Sequence, residues 1–194
     1  IRNQNQFAEN KFNKMGTEIR FGEPLTDSLK LSATTEILYY SSNESKQTYD
    51  FNDVSGEYDA FNAFQSNTIN SSVLKINPTI GLNLQKKNIR ARFNVGPEFV
   101  TFKNESDYLG ITTPLNENYV FPKITGNLSY TISKSKSIYS NYDYKVELPL
   151  ANQILPVLNL SNPLNTYVGN ADLKPNENHS IYTNFSNYDY ATRS

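Results

Sequence analysis

The sequence lacks cysteine and tryptophan, and it has one methionine and one histidine among its 194 residues. Without cysteine the chain cannot form a disulfide, a thiol nucleophile or a thiolate metal site. A metal site built on two histidines is excluded as well, because His179 stands alone, and we expect His179 to be a polar residue at the end of a strand. These absences predict a protein that is not an enzyme and that holds no metal and no cofactor.

Strong charge and long apolar runs are also missing. The formal net charge is −1 and the isoelectric point is near 5.9, so the chain offers no basic surface for a nucleic acid. No stretch approaches the roughly 18 consecutive apolar residues of a membrane-spanning helix, and mean hydropathy is −0.60. Nucleic-acid binders and helical membrane proteins are therefore disfavoured.

The composition that remains favours β-structure. Tyrosine and phenylalanine number 14 and 11, and the rest of the chain is rich in asparagine, serine and threonine. Aromatic and β-branched residues favour strands, whereas small polar residues favour turns. This mixture predicts an all-β protein with polar loops.

Apolar and polar side chains alternate over long stretches, as they do when successive residues point to opposite faces of a strand. A final stretch near 179–190 is rich in tyrosine but alternates poorly. The pattern, with that final stretch, predicts about seven long strands. In the other six, mainly apolar residues occupy every second position, at 15–21, 29–39, 74–84, 89–99, 120–132 and 138–146.

The connections between these strands differ in length in an ordered way. Short turns at 24–28, 85–88 and 133–136 alternate with long polar segments at 41–71, 103–118 and 147–177. Outer-membrane barrels have short turns on one side and long extracellular loops on the other, and their strands alternate between a lipid-facing apolar face and a wet lumen. We therefore predict an antiparallel transmembrane β-barrel segment, with Pro78, Pro97 and Pro122 at bulges or near the membrane interface.

The domain organisation follows from the same pattern. We expect a polar lead-in or loop at 1–13, a partial outer-membrane β-barrel at 14–190 and a truncated end at 191–194. Seven strands do not close a bacterial barrel, and an open edge in hydrocarbon would leave backbone groups unpaired. The remaining strands are thus expected elsewhere in a longer protein.

Two segments carry a family resemblance. Residues 162–175 read NPLNTYVGNADLKP, and this is similar to a segment written roughly NPxxxxxGNPxLKPE in the barrels of Bacteroidetes TonB-dependent receptors and their outer-membrane relatives. The matching positions are Asn162, Pro163, Gly169, Asn170, Leu173, Lys174 and Pro175, whereas Ala171 and Asn176 depart from the pattern. Residues 21–40 resemble the aromatic-x-EPL turn of the same family, with Glu23, Pro24 and Leu25 at the turn.

The resemblance implies a barrel of about 22 strands in the bacterial outer membrane, filled by an N-terminal plug and energised by TonB. The partners that it implies are outer-membrane lipid, the remaining strands and plug of the same protein, TonB and a surface lipoprotein. The expected function is import of a bulky nutrient such as a siderophore, a glycan or a peptide, with Tyr167 in a loop as the candidate ligand contact.

Two other functions compete with import. A barrel of the same family could serve as a structural or assembly subunit of an outer-membrane complex without its own substrate. A secreted, soluble β-sandwich that binds carbohydrate would also alternate along its strands. The sandwich would enclose a packed core, whereas the barrel would place its polar residues along a lumen.

Overall fold

The computed structural model describes residues 3–155, 158–159 and 167–188, which form an antiparallel sheet curved into a half-barrel. Seven strands make up its wall, in the order β1-β2-β4-β5-β6-β7-β10, so each pairs with the next long strand along the chain. The wall strands are β1 (Gln4–Pro24), β2 (Leu29–Asn52), β4 (Asn67–Gln85), β5 (Ile89–Tyr108), β6 (Ile111–Thr131), β7 (Lys136–Glu147) and β10 (Asn176–Asn187).

Short elements occupy the ends of the wall. Strand β3 (Glu57–Phe61) pairs with the far end of β2, a 3₁₀ turn follows at Ala63–Gln65, and the two-residue strands β8 (Leu158–Asn159) and β9 (Tyr167–Val168) pair with each other. A single helical turn, α1 (Ala151–Ile154), follows β7. Within the described ranges, no helix is both long enough and apolar enough to cross a membrane.

The predicted faces of the sheet are confirmed by the strand register. Leu82 pairs with Phe93, and Asn83 pairs with Arg92, so apolar residues share one face and polar residues share the other. Many large apolar side chains are solvent-exposed on the first face, which is convex, including Ile80 at 61% and Val120 at 66%. The polar set does not pack into a closed core, which removes the main support for a soluble sandwich.

The three short turns lie where the sequence predicts them, at one end of the wall that we call the lower end. Each is closed by backbone hydrogen bonds: the Leu25 N–H donates to Leu29 O at 2.8 Å, and the Lys86 N–H donates to Ile89 O at 2.8 Å. The third turn closes from Ile132 N–H to Lys136 O at 2.9 Å. Links this short join antiparallel neighbours and cannot support a parallel crossover.

At the opposite end of the wall, which we call the upper end, the long segments are mostly strand, contrary to the prediction of long loops at 41–71 and 103–118. Strands β5 and β6 continue to a two-residue turn at Leu109 and Gly110, where both φ angles are positive, as a type I′ hairpin turn requires. Residues 4–13, expected to be a lead-in or loop, likewise belong to β1. In the upper part of the wall the alternation of apolar and polar residues fades, because the convex side chains are polar there too. The backbone ladder nevertheless continues.

Pro78, Pro97 and Pro122 lie in one row across the wall. Pro97 is the register partner of Pro122, and Pro78 stands opposite Pro97 at a gap in the β4–β5 ladder between the pairs Ile76–Phe99 and Ile80–Val95. The register is the same on both sides of the gap, so the expectation of a bulge is wrong. Two prolines facing each other remove both N–H donors at this position, which interrupts the ladder without shifting it.

A glycine closes the gap beside the prolines. A Cβ atom added to Gly96 would overlap the carbonyl oxygen of Pro78 and would lie 2.8 Å from the Cα of Thr79. The backbones of β4 and β5 therefore approach each other closely at Gly96. A larger residue there would force the two strands apart.

Candidate functional site

The concave face of the half-barrel is the candidate functional site because polar side chains converge on it. Its lower part encloses an open cavity of about 960 Å³ bordered by β1, β2, β4, β5 and β6. Four basic and three acidic residues border it, namely Arg20, Lys30, Arg92 and Lys123 with Glu18, Asp27 and Glu36, together with polar residues such as Thr34, Asn83 and Asn94. The predicted polar face of the barrel is thus a wall of mixed and nearly balanced charge.

Hydrogen bonds between neighbouring strands hold this polar wall in place. Asn83 Nδ2 donates to Ser32 Oγ at 3.0 Å, and Asn94 Nδ2 donates to Thr125 Oγ1 at 3.1 Å. Such cross-strand pairs fix side-chain rotamers on a sheet face. The wall therefore presents an ordered set of amides and hydroxyls to the cavity.

Higher on the same face lies an ion pair between neighbouring strands. Lys75 Nζ is 3.4 Å from Glu98 Oε1, and the Glu98 residue is 6% exposed. Beyond Glu98 on the same face of β5, Val100 and Phe102 are buried. A buried carboxylate needs a partner of opposite charge, and Lys75 supplies it.

Two aromatic rings stand beside this ion pair on β6. Tyr119 is the register partner of Val100 and Phe121 is that of Glu98, so both rings lie on the concave face. Their centroids are 5.4 Å apart and their planes differ by 19°, which is a stacked arrangement. Both side chains are partly exposed, so the stack borders the lumen of the half-barrel.

The segment after β7 folds against the upper part of the concave face. Leu155 is fully buried and packs with Ile69 of β4, and Tyr108 and Leu115 surround the pair. A second stretch of the same connection lies on this segment, because Asn170 N–H donates to the backbone oxygen of Gln153 at 2.7 Å. The described residues 151–155 of the connection between β7 and β10 therefore line the inside of the wall.

Several polar groups near this segment are buried without a hydrogen-bond partner among the described residues. They include Lys46 Nζ, both amide atoms of Asn104 and Ser106 Oγ. Burial lowers the pKa of the Lys46 ammonium, since removal of water disfavours its charged form. Within the described ranges, these atoms of the upper concave face therefore have unmet hydrogen-bonding capacity.

The structure places the family-motif residues at opposite ends of the wall. Glu23 and Pro24 end β1 and Leu25 begins the first short turn, at the lower end. Asn170 organises a turn at the upper end, where its Oδ1 accepts from Asp172 N–H at 3.0 Å and its backbone oxygen accepts from Leu173 N–H at 3.1 Å. The described residues of the two motifs thus form no common site.

The other motif residues belong to the connection before β10. Gly169 fits tightly beneath Leu155, since an added Cβ would overlap the Leu155 carbonyl oxygen, and Lys174 and Pro175 lead into β10. The prediction for Asn162 and Pro163 falls outside the described residues. Tyr167, the predicted ligand contact, lies in β9, and its side chain also falls outside them.

Sequence reasoning recognised neither the ion pair nor the aromatic stack as a site. Phe121 lies in the predicted strand at 120–132, whereas Tyr119 lies just before it, next to the loop predicted at 103–118, so the sequence pattern does not place the two rings on one strand face. The two-residue spacing along the strand could have revealed the stack, because Phe121 and Tyr119 continue the series of lumen-facing residues Lys123 and Thr125.

A metal-binding cluster of side chains is not found in the described part of the chain. No three acidic or histidine side chains there are placed to hold a metal ion. His179 lies on the convex face of β10, where its Nδ1 is 2.9 Å from the hydroxyl of Tyr142 and its ring packs 4.7 Å from that of Tyr144. This histidine belongs to an aromatic cluster at the edge of the wall.

Comparison with known proteins gives a likeness in fold. No family model matches the chain, and no curated protein matches it. A crystal structure of the ferric citrate transporter FecA in the unliganded form is similar, with a TM-score of 0.53 and 12% sequence identity. The match covers 74% of this chain but 22% of FecA, so the chain spans about a fifth of the length of that transporter.

Proposed function

We propose that this chain is part of the wall of a TonB-dependent outer-membrane receptor that imports a bulky nutrient. The likeness to FecA supports the barrel architecture, and the convex face supports a place in a membrane. The partners proposed with it are outer-membrane lipid, a plug domain and further strands of the same protein, TonB and a surface lipoprotein.

The observation that carries the proposal is an apolar band on the convex face with sharp edges. In β4 the convex residues from Leu74 to Leu84 are all apolar, whereas the next one upward is Ser72. In β5 the corresponding stretch runs from Ile89 to Phe99 and ends at Thr101. Ten residue steps span about 33 Å along a strand, and a tilt of about 40° reduces this to roughly 25 Å, the height of the lipid-facing band in outer-membrane barrels.

The edges of the band shift by one convex position between β4 and β5, and they are level between β2 and β4 and between β5 and β6. Tyr39 pairs with Leu74 at the upper edge, but the partner of Leu74 on the other side is Thr101, already above the band in β5. The lower edge moves in the same direction, from Leu84 in β4 to Tyr130 in β6. The band therefore keeps its height across the shift, as contact with a lipid layer of fixed thickness requires.

The transport half of the proposal rests on the concave face. Its polar side chains border an open cavity, and the upper hairpins extend well beyond the band. Polar interiors with long extracellular hairpins suit passage and recognition of a hydrophilic ligand, because loops and rims carry recognition while the wall carries stability. Import driven by TonB would account for both features.

Membrane orientation is testable by cysteine labelling, since the described chain contributes no cysteine of its own. In the full-length protein, with any other cysteine replaced, Val54→Cys probes an upper tip and Lys87→Cys probes a short turn. We expect an impermeant maleimide to label Val54→Cys in intact cells and to label Lys87→Cys after the outer membrane is permeabilised. Equal labelling of both in intact cells would contradict the orientation.

Transport is testable by uptake in cells that carry the full-length receptor. We expect uptake to require TonB, and to fall when Tyr167 is replaced by alanine or residues 152–160 are deleted, while the protein still inserts. Tyr130→Ala, in a tyrosine of the convex band, is the matched control and should leave uptake unchanged. Normal uptake in the deletion variant would favour a structural role in an outer-membrane complex.

A further inference from the structure

The convex face of β7 and β10 interrupts the apolar band of the neighbouring strands. In β4 the convex residues from Leu74 to Leu84 are all apolar, whereas β7 and β10 carry polar side chains on the same face of the sheet. We call this set the polar stripe, and its members are Ser140, Tyr142, Tyr144, Glu177, His179 and Thr183. Contact with the hydrocarbon of a lipid layer does not account for such a set.

The strand register places His179 inside the band. His179 pairs with Tyr144, and Tyr144 pairs with Ile124. Ile124 in turn pairs with Val95, and Val95 pairs with Ile80, which lies near the middle of the band in β4. This row stays two convex positions below the upper edge of the band in β5. Aromatic girdles occur at the membrane interfaces, so a girdle does not explain a histidine in this row.

The imidazole and the carboxylate of the polar stripe stand on a base of aromatic rings. The Tyr142 hydroxyl is 2.9 Å from His179 Nδ1. Tyr144 is 4% exposed, and its ring centroid lies 4.7 Å from that of His179. His179 and Glu177 themselves are exposed on the convex face. Hydrocarbon offers neither an imidazole nor a carboxylate a hydrogen-bond partner, so these two side chains require a polar neighbour at this depth.

We propose, resting on the membrane placement above, that the polar stripe is the contact surface between two copies of this protein in the outer membrane. A two-fold axis along the membrane normal brings the same patch of both copies together, so the patch must complement itself. When the Tyr142 hydroxyl donates to Nδ1 of a neutral His179, the ring proton lies on Nε2 and can be donated to Glu177 of the other copy. Glu177 and His179 lie roughly 7 Å apart along β10, a distance that their side chains can span between the copies.

The chemistry of the polar stripe favours a second copy over the headgroup of a lipid. None of its side chains is a lysine or an arginine, which a headgroup phosphate would need as donors. Ser140 and Thr183 are small and their hydroxyls lie 3.0 Å apart, so two convex faces can approach closely there. Ile181 and Phe185 on the same face of β10 are 73% and 57% exposed, and they add apolar contact beside the polar groups.

Cysteine cross-linking in the outer membrane tests the interface, because the described residues include no cysteine. In the full-length protein, with any other cysteine replaced, Ile181→Cys and Thr183→Cys are made separately and oxidised with copper phenanthroline. We expect each to give a disulfide-linked dimer of twice the receptor mass on non-reducing electrophoresis. Ile80→Cys, on the convex face of β4 in the register row of His179, is the matched control and should stay monomeric.

Substitutions in the polar stripe test whether its side chains hold the two copies together. Adding Glu177→Leu or His179→Leu to Ile181→Cys should lower the dimer yield by roughly fivefold, the effect of one hydrogen bond lost between membrane segments. Heat-modified mobility on electrophoresis verifies that each variant is folded. Equal yields from Ile181→Cys and Ile80→Cys, a product of another mass, or an unchanged yield in both leucine variants would overturn the interface. A dimer in cells whose uptake does not need TonB would sustain the interface and refute the import mechanism.

Discussion

A lysine placed at the centre of the convex band should destabilise the barrel strongly. Ile80 lies between the upper edge at Leu74 and the lower edge at Leu84, and its side chain is 61% exposed on the convex face. A lysine on the lipid face near the bilayer midplane costs about 2–4 kcal/mol, and the cost falls to about 0–1 kcal/mol near the interface. Ile80→Lys should therefore lower the free energy of unfolding by about 3 kcal/mol.

Two neighbouring substitutions on β4 separate the membrane effect from a general effect of lysine. Thr79→Lys places the charge one residue away on the concave face, where it borders the open cavity, and Ser72→Lys places it on the convex face just above the band. Both should cost less than about 1 kcal/mol, because water solvates the ammonium at each position.

The assay is denaturant unfolding of the full-length protein after it has been refolded into phospholipid vesicles, monitored by tyrosine fluorescence and electrophoretic mobility. We expect the free energy of unfolding of Ile80→Lys to lie far below those of Ser72→Lys and Thr79→Lys. Equal losses at all three sites would mean that the convex face does not contact lipid. A larger loss at Thr79 than at Ile80 would mean that the faces are reversed.

Three further predictions concern packing and charge. Gly96→Ala should lower the free energy of unfolding by about 1–3 kcal/mol, because the new Cβ meets the Pro78 carbonyl, whereas Gly126→Ala, whose nearest contact is 3.6 Å, should be tolerated. Leu155→Ala should lower local stability by about 2–4 kcal/mol and make the β7–β10 connection sensitive to surface protease in intact cells. A connection that stays resistant to the protease in this variant would contradict the prediction. Burial lowers the pKa of Lys46, which lies above the band, so the unfolded chain binds the lysine proton more tightly than the folded chain does. The free energy of unfolding should therefore rise with pH up to about 10.5, the unfolded pKa. Lys46→Met should flatten this rise, and an unchanged pH profile in that variant would count against the prediction.

The sequence contained enough information to predict the faces, the lower turns and the antiparallel order. Alternation is a local property, since each residue along β4 and β5 points opposite to its neighbour whatever the rest of the chain does. The short turns are local as well, because Gln85 to Ile89 leaves no room for anything but a hairpin. These features were therefore predictable without knowledge of any distant contact.

The upper wall was not predictable in the same way. Its convex side chains, such as Ser72 and Thr101, are polar, so the period-two signal weakens above the band although the strands continue. The burial of Ser106, which is fully inaccessible, comes from the concave packing of residues far away in sequence. Polar residues that are buried by distant neighbours look like loop residues to a local pattern.

What the sequence by itself determined is the alternation that gives the sheet an apolar and a polar face, together with the turns that order its strands. Only the tertiary structure decided how far those strands extend, where the prolines align, and which side chains meet on the concave face. Lys75 and Glu98 are 23 positions apart, and Leu155 reaches Ile69 across a still longer separation. Such pairs depend on strand register and on the curvature of the whole wall, which arise only when distant segments fold against one another.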